Sequence, residues 1–137
     1  MRVEDWWLRR GPDGYETRIA GREFGYALRF RPTQPVLLQG EAGYSRKGPA
    51  PDAASYYYSM PQLSVSGSIV RGGRTMQVTG TAWLDREWSS AYLASNAAGW
   101  DWVGLNLDDG GALMAMQIRD SGGAQLWATG TLRQADG

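Results

Sequence analysis

Short stretches in which apolar and polar residues alternate recur along the whole chain, and glycine-rich turns separate them. This two-residue period is typical of half-buried β-strands, because successive side chains point to opposite faces of a sheet. No long window shows the apolar stripe of an amphipathic helix. The pattern therefore predicts an all-β fold, an antiparallel barrel or sandwich whose short strands are joined by hairpin turns.

The turns between the predicted strands are rich in glycine, proline and aspartate. Gly11-Pro12-Asp13-Gly14 is a strong turn signal, because proline presets φ and glycine tolerates a positive φ. Pro61 predicts an edge or a break, the proline-rich segment 31–53 predicts a long surface loop, and we expect a short helical turn at 90–94. The predicted strands are 5–10, 15–20, 24–30, 36–38, 55–60, 63–70, 75–84, 100–107, 112–119 and 124–132.

Length and charge narrow the class of protein. The 137 residues suit one domain. With 14 basic and 14 acidic residues scattered singly, the chain has no field that would attract nucleic acid or acidic lipid, and we expect neither as a partner. The first residues lack an apolar segment, so we expect no signal peptide in this chain.

Cysteine and histidine are both absent. Zinc and most transition metals are bound through these residues, so we expect no metal site and no cofactor. Catalytic units that depend on histidine are excluded for the same reason. Any acid or base must come from aspartate, glutamate, lysine or tyrosine.

Carboxylates and tryptophans concentrate between positions 83 and 102. In an extended strand Asp85 and Glu87 point to one face and Arg86 to the other. A carboxylate packed against an indole is desolvated and can act as an acid near neutral pH, so Asp85, Glu87 and Asp101 are the candidate catalytic residues. The structural alternative is a buried ion network around Arg86 that fixes one end of the barrel. Both hypotheses place these four charged residues within a few ångströms of one another, beside Trp88 and Trp100.

Aromatic side chains are the candidate lining of a binding pocket, since tryptophan and tyrosine combine a large apolar surface with a polar group. On a strand Tyr56 and Tyr58 share one face and Tyr57 takes the other. Ordinary packing at a barrel wall is the alternative for the tyrosines. The candidate ligand-binding residues are Trp83, Arg86, Trp88, Trp100, Trp102, Tyr56 and Tyr58.

Four segments, 40–47, 55–59, 80–89 and 99–107, together resemble the AttH-like, or hydroxyneurosporene synthase (carotenoid 1,2-hydratase)-like, family. The most specific part is Trp83-Leu84-Asp85-Arg86-Glu87-Trp88 followed by Gly99-Trp100-Asp101-Trp102. The resemblance implies two lipocalin-like β domains in tandem, of which residues 1–137 would be most of the first, with the second absent. It also implies a periplasmic or secreted location.

The same resemblance implies a function. Some relatives are described as secreted hydrolases, and others hydrate or dehydrate isoprenoid-like double bonds. We therefore expect the domain to bind a small apolar or isoprenoid-like molecule, with acid-catalysed hydration or hydrolysis in which Asp85 or Asp101 is the acid. The carotenoid hydratases carry a histidine in the stretch that Arg86 occupies, and arginine cannot donate a proton at neutral pH, which argues against carotenoid hydration itself.

Two other functions remain open at this point: a non-catalytic lipocalin-like carrier, and a structural half-domain that supports the rest of a longer chain. The expected partners are a small apolar molecule, the remainder of the full-length protein, and a second copy that pairs through exposed strand edges.

Overall fold

The computed structural model describes residues 1–90 and 93–136. This part of the chain contains strands and no helix, and strands make up about two thirds of it. The predicted all-β antiparallel class, with a lipocalin-like fold, is confirmed. The strands are β1 (Arg2–Val3), β2 (Trp6–Gly11), β3 (Gly14–Ala20), β4 (Phe24–Arg31), β5 (Leu37–Leu38), β6 (Tyr44–Arg46), β7 (Ala54–Arg71), β8 (Arg74–Trp88), β9 (Ala97–Asn106), β10 (Ala112–Asp120) and β11 (Gln125–Arg133).

Met1–Pro35 and Gln62–Ala82 form one compact unit. Within it β1, β2, β3 and β4 follow one another as antiparallel neighbours, and β4 pairs with the second half of β7. Gly14 begins β3 with a φ of +141°, and a Cβ atom there would overlap the Phe30 carbonyl oxygen, so only glycine suits this close approach. The strands predicted at 5–10, 15–20 and 24–30 are confirmed to within one residue as β2, β3 and β4.

Val36–Pro61 and Trp83–Gly137 form the second unit. Here β5 and β6 pair with the first half of β7, with Ser45 opposite Ser55. A separate three-stranded antiparallel sheet has the order β11, β10, β9, and Met116 of β10 lies opposite Trp102 of β9. Met114 and Ile118 are fully buried along one face of β10. The residues discussed below as a site all belong to this unit.

The segment 31–53 corrects one expectation. Its β5 corresponds to the short strand expected at 36–38, but β6 was not expected, and the segment is not a surface loop because Leu37, Gln39, Ser45 and Lys47 are buried within it. The physical reason is that its buried polar groups find hydrogen-bond partners on β7 and β8, which ties a proline-rich segment to the sheet.

Two strand boundaries are also corrected. Pro61 does not interrupt the sheet: β7 runs through it, Pro61 is buried, and the local irregularity is the positive φ of Gln62. The strand β8 continues to Trp88 instead of ending at position 84.

Other expectations remain open. The helical turn expected at 90–94 includes residues 91–92, which lie outside the described residues. The assignment of residues 1–137 to a single domain stays a prediction. In the described part of the chain no helix is long and apolar enough to cross a membrane.

Candidate functional site

The first half of β7 presents a buried row of polar side chains. Ser55, Tyr57 and Ser59 alternate with more exposed residues, and all three are buried. Buried hydroxyl groups destabilise a fold unless they are hydrogen-bonded. Their hydrogen-bond partners come from β8, β9 and the segment that precedes β6. This row of side chains therefore connects the three neighbouring parts of the chain to β7.

Asp85 of β8 is the centre of the first set of contacts. Its Oδ1 atom accepts a hydrogen bond from Ser59 Oγ at 2.5 Å and another from Trp83 Nε1 at 2.7 Å. The Tyr57 hydroxyl also hydrogen-bonds this carboxylate. Asp85 is thus a half-buried carboxylate held by three uncharged donors. We refer to the group formed by Gln39, Tyr57, Ser59, Trp83, Asp85 and Trp102 as the Asp85 cluster.

Tyr57 links this carboxylate to β9. Trp102 Nε1 donates a hydrogen bond to the Tyr57 hydroxyl at 3.0 Å. Burial, followed by the negative charge of Asp85, raises the pKa of Tyr57 well above its usual value. Tyr57 therefore remains a neutral phenol, a hydrogen-bond donor rather than a base, throughout the neutral range.

Two tryptophans provide the aromatic surface beside Asp85. The rings of Trp83 and Trp102 meet edge to face, with centroids 6.2 Å apart and planes at 75°. The Trp102 ring covers Gly104, where any Cβ atom would overlap it. Trp102 is 41% exposed, so part of its surface is accessible from outside the protein.

Lys47 and Glu87 form a second set of contacts. Lys47 Nζ lies 2.7 Å from Glu87 Oε1 and donates to Ser45 Oγ at 3.0 Å. The ammonium group also lies 4.8 Å from the centroid of the Tyr57 ring. Ser55 Oγ donates to the same Glu87 oxygen at 2.5 Å. The charges of this Lys47–Glu87 pair neutralise each other at a position where the lysine is almost completely buried.

The structure divides the sequence-predicted site residues between two faces. Asp85, Glu87, Trp83 and Trp102 belong to the contacts just described. Of the other candidates, Tyr56 and Tyr58 contact Trp88, which is 52% exposed. The outer aromatic group consists of Tyr44, Tyr56, Tyr58 and Trp88, with Tyr56 stacked on Trp88 at 6.0 Å and Tyr58 edge-on to it at 6.2 Å.

The expected convergence of four charged residues is wrong. Arg86 is exposed, because alternation along β8 turns it away from Asp85 and Glu87. Asp101 makes a two-point contact with Arg119, at 2.7 and 2.9 Å, and is about half exposed. Hydrogen bonds from Arg119 and Gln117 lower the pKa of Asp101.

These findings separate the candidate residues by environment. Asp101 lies on the opposite face of β9 from Trp102 and pairs with Arg119 of β10. Trp100 shares the Trp102 face but is 60% exposed.

Sequence reasoning missed several members of the site. Gln39, Lys47, Ser55, Tyr57 and Ser59 were not among the candidate catalytic or ligand-binding residues, although all but Ser55 fall in stretches that could have formed a rim around a ligand. Tyr57 could have been found, since the alternation that pairs Tyr56 with Tyr58 places Tyr57 on the buried side with both serines. No sequence signal indicated that a lysine in a proline-rich segment would be buried against Glu87.

In residues 1–90 and 93–136 no group of three or more acidic, histidine or cysteine side chains could hold a metal ion. What the Asp85 cluster can do chemically is accept or deliver a proton beside two indole rings.

Fold and site together define an all-β protein of lipocalin-like fold in which the Asp85 carboxylate of β8 meets a row of buried hydroxyl groups on β7. The chain belongs to the AttH-like family, which it matches over residues 1–137. The family expected from the sequence is therefore confirmed. Comparison with curated protein sequences finds no match.

Two solved structures are similar to this chain. An AttH protein from Nitrosomonas europaea has 56% sequence identity and a TM-score of 0.95, over 99% of this chain and 43% of that one. Kievitone hydratase from Nectria haematococca has 16% identity and a TM-score of 0.78, over 98% of this chain and 43% of that one. The second likeness concerns the fold alone. The chain spans less than half the length of both solved relatives.

Proposed function

We propose that the Asp85 cluster binds a small, largely apolar molecule and catalyses the addition of water to a carbon–carbon double bond in it. The observation that carries the proposal is the position of Asp85, whose Oδ1 is held by Ser59 and Trp83 beside the Trp83–Trp102 ring pair. Kievitone hydratase, which has the same fold, is named as a hydratase, and that name supports the reaction class.

The proposed reaction uses one carboxyl group twice. Protonated Asp85 gives its proton to one alkene carbon, and the double-bond electrons form the new C–H bond, which leaves a carbocation at the other carbon. Water then attacks the cation, and the Asp85 carboxylate accepts the proton that this water releases. The three donors from Ser59, Trp83 and Tyr57 stabilise the carboxylate between the two transfers.

The tryptophan rings have a separate part in this proposal. A carbocation is stabilised by the negative face of an indole ring, and the rings of Trp83 and Trp102 adjoin Asp85 and Tyr57 respectively. Their apolar surface suits an isoprenoid-like chain, and the partial exposure of Trp102 makes part of that surface accessible to such a molecule.

A non-catalytic carrier is the second candidate. It is favoured by the Lys47–Glu87 pair, since a carboxylate already neutralised by a buried lysine does not contribute a free acid or base. Under this alternative the Asp85 cluster only orients a bound molecule. A structural half-domain that supports the rest of a longer protein is a third possibility, because the chain spans less than half of its solved relatives.

One experiment separates these functions. Farnesol, an isoprenoid alcohol with trisubstituted double bonds, is added to the protein in isotopically labelled water. Binding is followed by quenching of tryptophan fluorescence, and reaction by mass spectrometric detection of labelled oxygen in the product. We expect Asp85→Asn to retain binding and lose incorporation, while Asp101→Asn, the matched control on β9, retains both. Binding without incorporation in the unaltered protein would favour the carrier, and no binding would favour the half-domain.

A further inference from the structure

We propose that Gln39 is a positioning residue that fixes the direction of the Ser59 hydroxyl and so keeps Ser59 a hydrogen-bond donor to Asp85. We call the two successive hydrogen bonds, from Gln39 to Ser59 and from Ser59 to Asp85, the relay, and the distances between these side chains are the evidence for it. Its effect on turnover rests on the proposed function of the Asp85 cluster, and the two are tested separately.

The relay has one direction because Ser59 has one hydroxyl proton. Ser59 Oγ lies 2.5 Å from Asp85 Oδ1 and 2.8 Å from Gln39 Nε2. Whenever Asp85 is ionised, as between the two proton transfers of the proposed reaction, its carboxylate only accepts hydrogen bonds, and the serine proton then points to Asp85. Ser59 Oγ, which also hydrogen-bonds the Tyr57 hydroxyl, must then act as an acceptor toward Gln39, and the amide of Gln39 must present its NH₂ group.

This amide orientation leaves an unpaired atom. Among the residues that the structure describes, Gln39 Oε1 is buried and has no hydrogen-bond partner. A half turn of the amide would direct Oε1 at Ser59, which would draw the serine proton away from Asp85. Proteins pair nearly all buried polar atoms, and an unpaired one marks a place where another requirement dominates. Here that requirement is the donor from Ser59 to Asp85.

The backbone holds Gln39 in place for this task. Its side chain is completely buried. Its N–H donates to the Tyr57 carbonyl at 3.1 Å, and its own carbonyl accepts from the Gly43 N–H at 3.0 Å. Gly40 follows with a φ of +63°, where a Cβ atom would overlap the Tyr44 carbonyl oxygen. The tight turn therefore fixes the amide relative to β7, as is typical of residues that support a site.

The test replaces Gln39 by an apolar side chain of similar length. Gln39→Met removes both the donor to Ser59 and the unpaired oxygen. A merely structural hydrogen bond predicts lower stability. A positioning residue predicts unchanged or higher stability, together with a shifted indole N–H resonance of Trp83, because Trp83 donates to the same Asp85 oxygen. Gln125→Met, an exposed position on β11, is the matched control and leaves that resonance unchanged.

A second variant keeps the proposal testable if the first does not fold. Gln39→Glu has nearly the same shape but offers only acceptor atoms when ionised, so it competes with Asp85 for the serine proton. We expect it to shift the Trp83 resonance too. Incorporation of labelled oxygen into farnesol should fall roughly tenfold in a folded variant, while farnesol binding changes less than about twofold.

The outcomes separate the relay from the function. An unchanged Trp83 resonance in a folded Gln39 variant, with a shift in Ser59→Ala, would overturn the relay. Failure of both Gln39 variants to fold would also overturn it, since Gln39 would then have a structural role. If the unaltered protein neither binds nor hydrates farnesol, the proposed function fails, but the Trp83 resonance still decides whether Gln39 directs Ser59.

Discussion

Lys47 Nζ and Glu87 Oε1 lie 2.7 Å apart, and the lysine side chain is only 3% exposed. A buried ammonium group is tolerated only when it is paired and further hydrogen-bonded, and Ser45 supplies the additional acceptor. The pair joins the residue after β6 to β8, which explains why a segment with the composition of a surface loop is held against the sheet.

Removal of the lysine should therefore destabilise the fold. Lys47→Met leaves Glu87 without its cation, and breaking a buried pair in this way costs several kcal/mol. Because the Glu87 side chain is 29% exposed and keeps some hydration, we expect a loss of roughly 2–4 kcal/mol in the free energy of unfolding. Urea denaturation measures it.

The matched double variant identifies the cause. Lys47→Met combined with Glu87→Gln removes both charges, so we expect it to recover part of the stability lost by the single variant. A loss below about 0.5 kcal/mol for Lys47→Met alone would mean that the lysine is not buried with Glu87.

Tyr57 should give the stability a dependence on alkaline pH. Its pKa in the folded protein is raised above the ordinary 10.0, so the folded state holds the phenol proton more tightly than the unfolded state does. This contribution is fully present below pH 10.0 and is lost as the pH rises toward the folded value. The stability difference between the unaltered protein and Tyr57→Phe should therefore shrink above pH 10.0. Tyr56→Phe, at an exposed neighbour, should show no such trend.

The Asp101–Arg119 contact should make the stability of the fold depend on acidic pH. Hydrogen bonds from Arg119 and Gln117 lower the pKa of Asp101 from 3.8. The resulting stabilisation is present above that ordinary value and is lost as the pH falls through the lowered folded one. Arg119→Met should remove this acid-dependent part, as followed by denaturation in a series of acidic buffers. An identical pH profile for both proteins would contradict the contact.

Arg86 should matter little to the stability of the fold, because it is exposed on the face of β8 opposite Asp85. Arg86→Met should change the free energy of unfolding by less than about 0.5 kcal/mol.

The outer aromatic group should not contribute to farnesol binding, and Trp88→Leu is expected to leave farnesol affinity within about twofold of the unaltered protein. A large loss of affinity would mean that the ligand binds at the outer aromatic group instead.

Local sequence signals were sufficient for most of the fold. Two-residue alternation and glycine turns place strands such as β3, β4 and β10 within a residue or two of their observed bounds. They fail where long-range contacts decide, as at Pro61, where the buried side chain and the positive φ of Gln62 let β7 continue. A proline at that position ordinarily ends a strand, and no neighbouring residue indicates otherwise.

The site was predictable only in part for a related reason. Alternation along one strand correctly separates Asp85 and Glu87 from Arg86. It contains no information about which strands meet, so it could not pair Asp101 with Arg119 from β10, or Lys47 with Glu87. Ser59 and Gln39 carry no distinctive motif, and their importance arises only from the burial that the folded chain creates.

Gly104 gives the last prediction, because the Trp102 ring occupies the space that any side chain at this position would need. A Cβ atom there would overlap the Trp102 ring and lie 3.1 Å from Trp83 Cε2. Gly104→Ala should displace the ring, weaken the bond from Trp102 to Tyr57, and destabilise the fold by roughly 1–3 kcal/mol. The same substitution should also reduce the quenching of tryptophan fluorescence by farnesol, because the Trp102 ring is displaced. Gly80→Ala on β8 is the matched control, since a Cβ atom at position 80 meets nothing within 4 Å, and its stability should equal or slightly exceed that of the unaltered protein. Equal effects of the two substitutions would show that the Trp102 ring does not lie over Gly104.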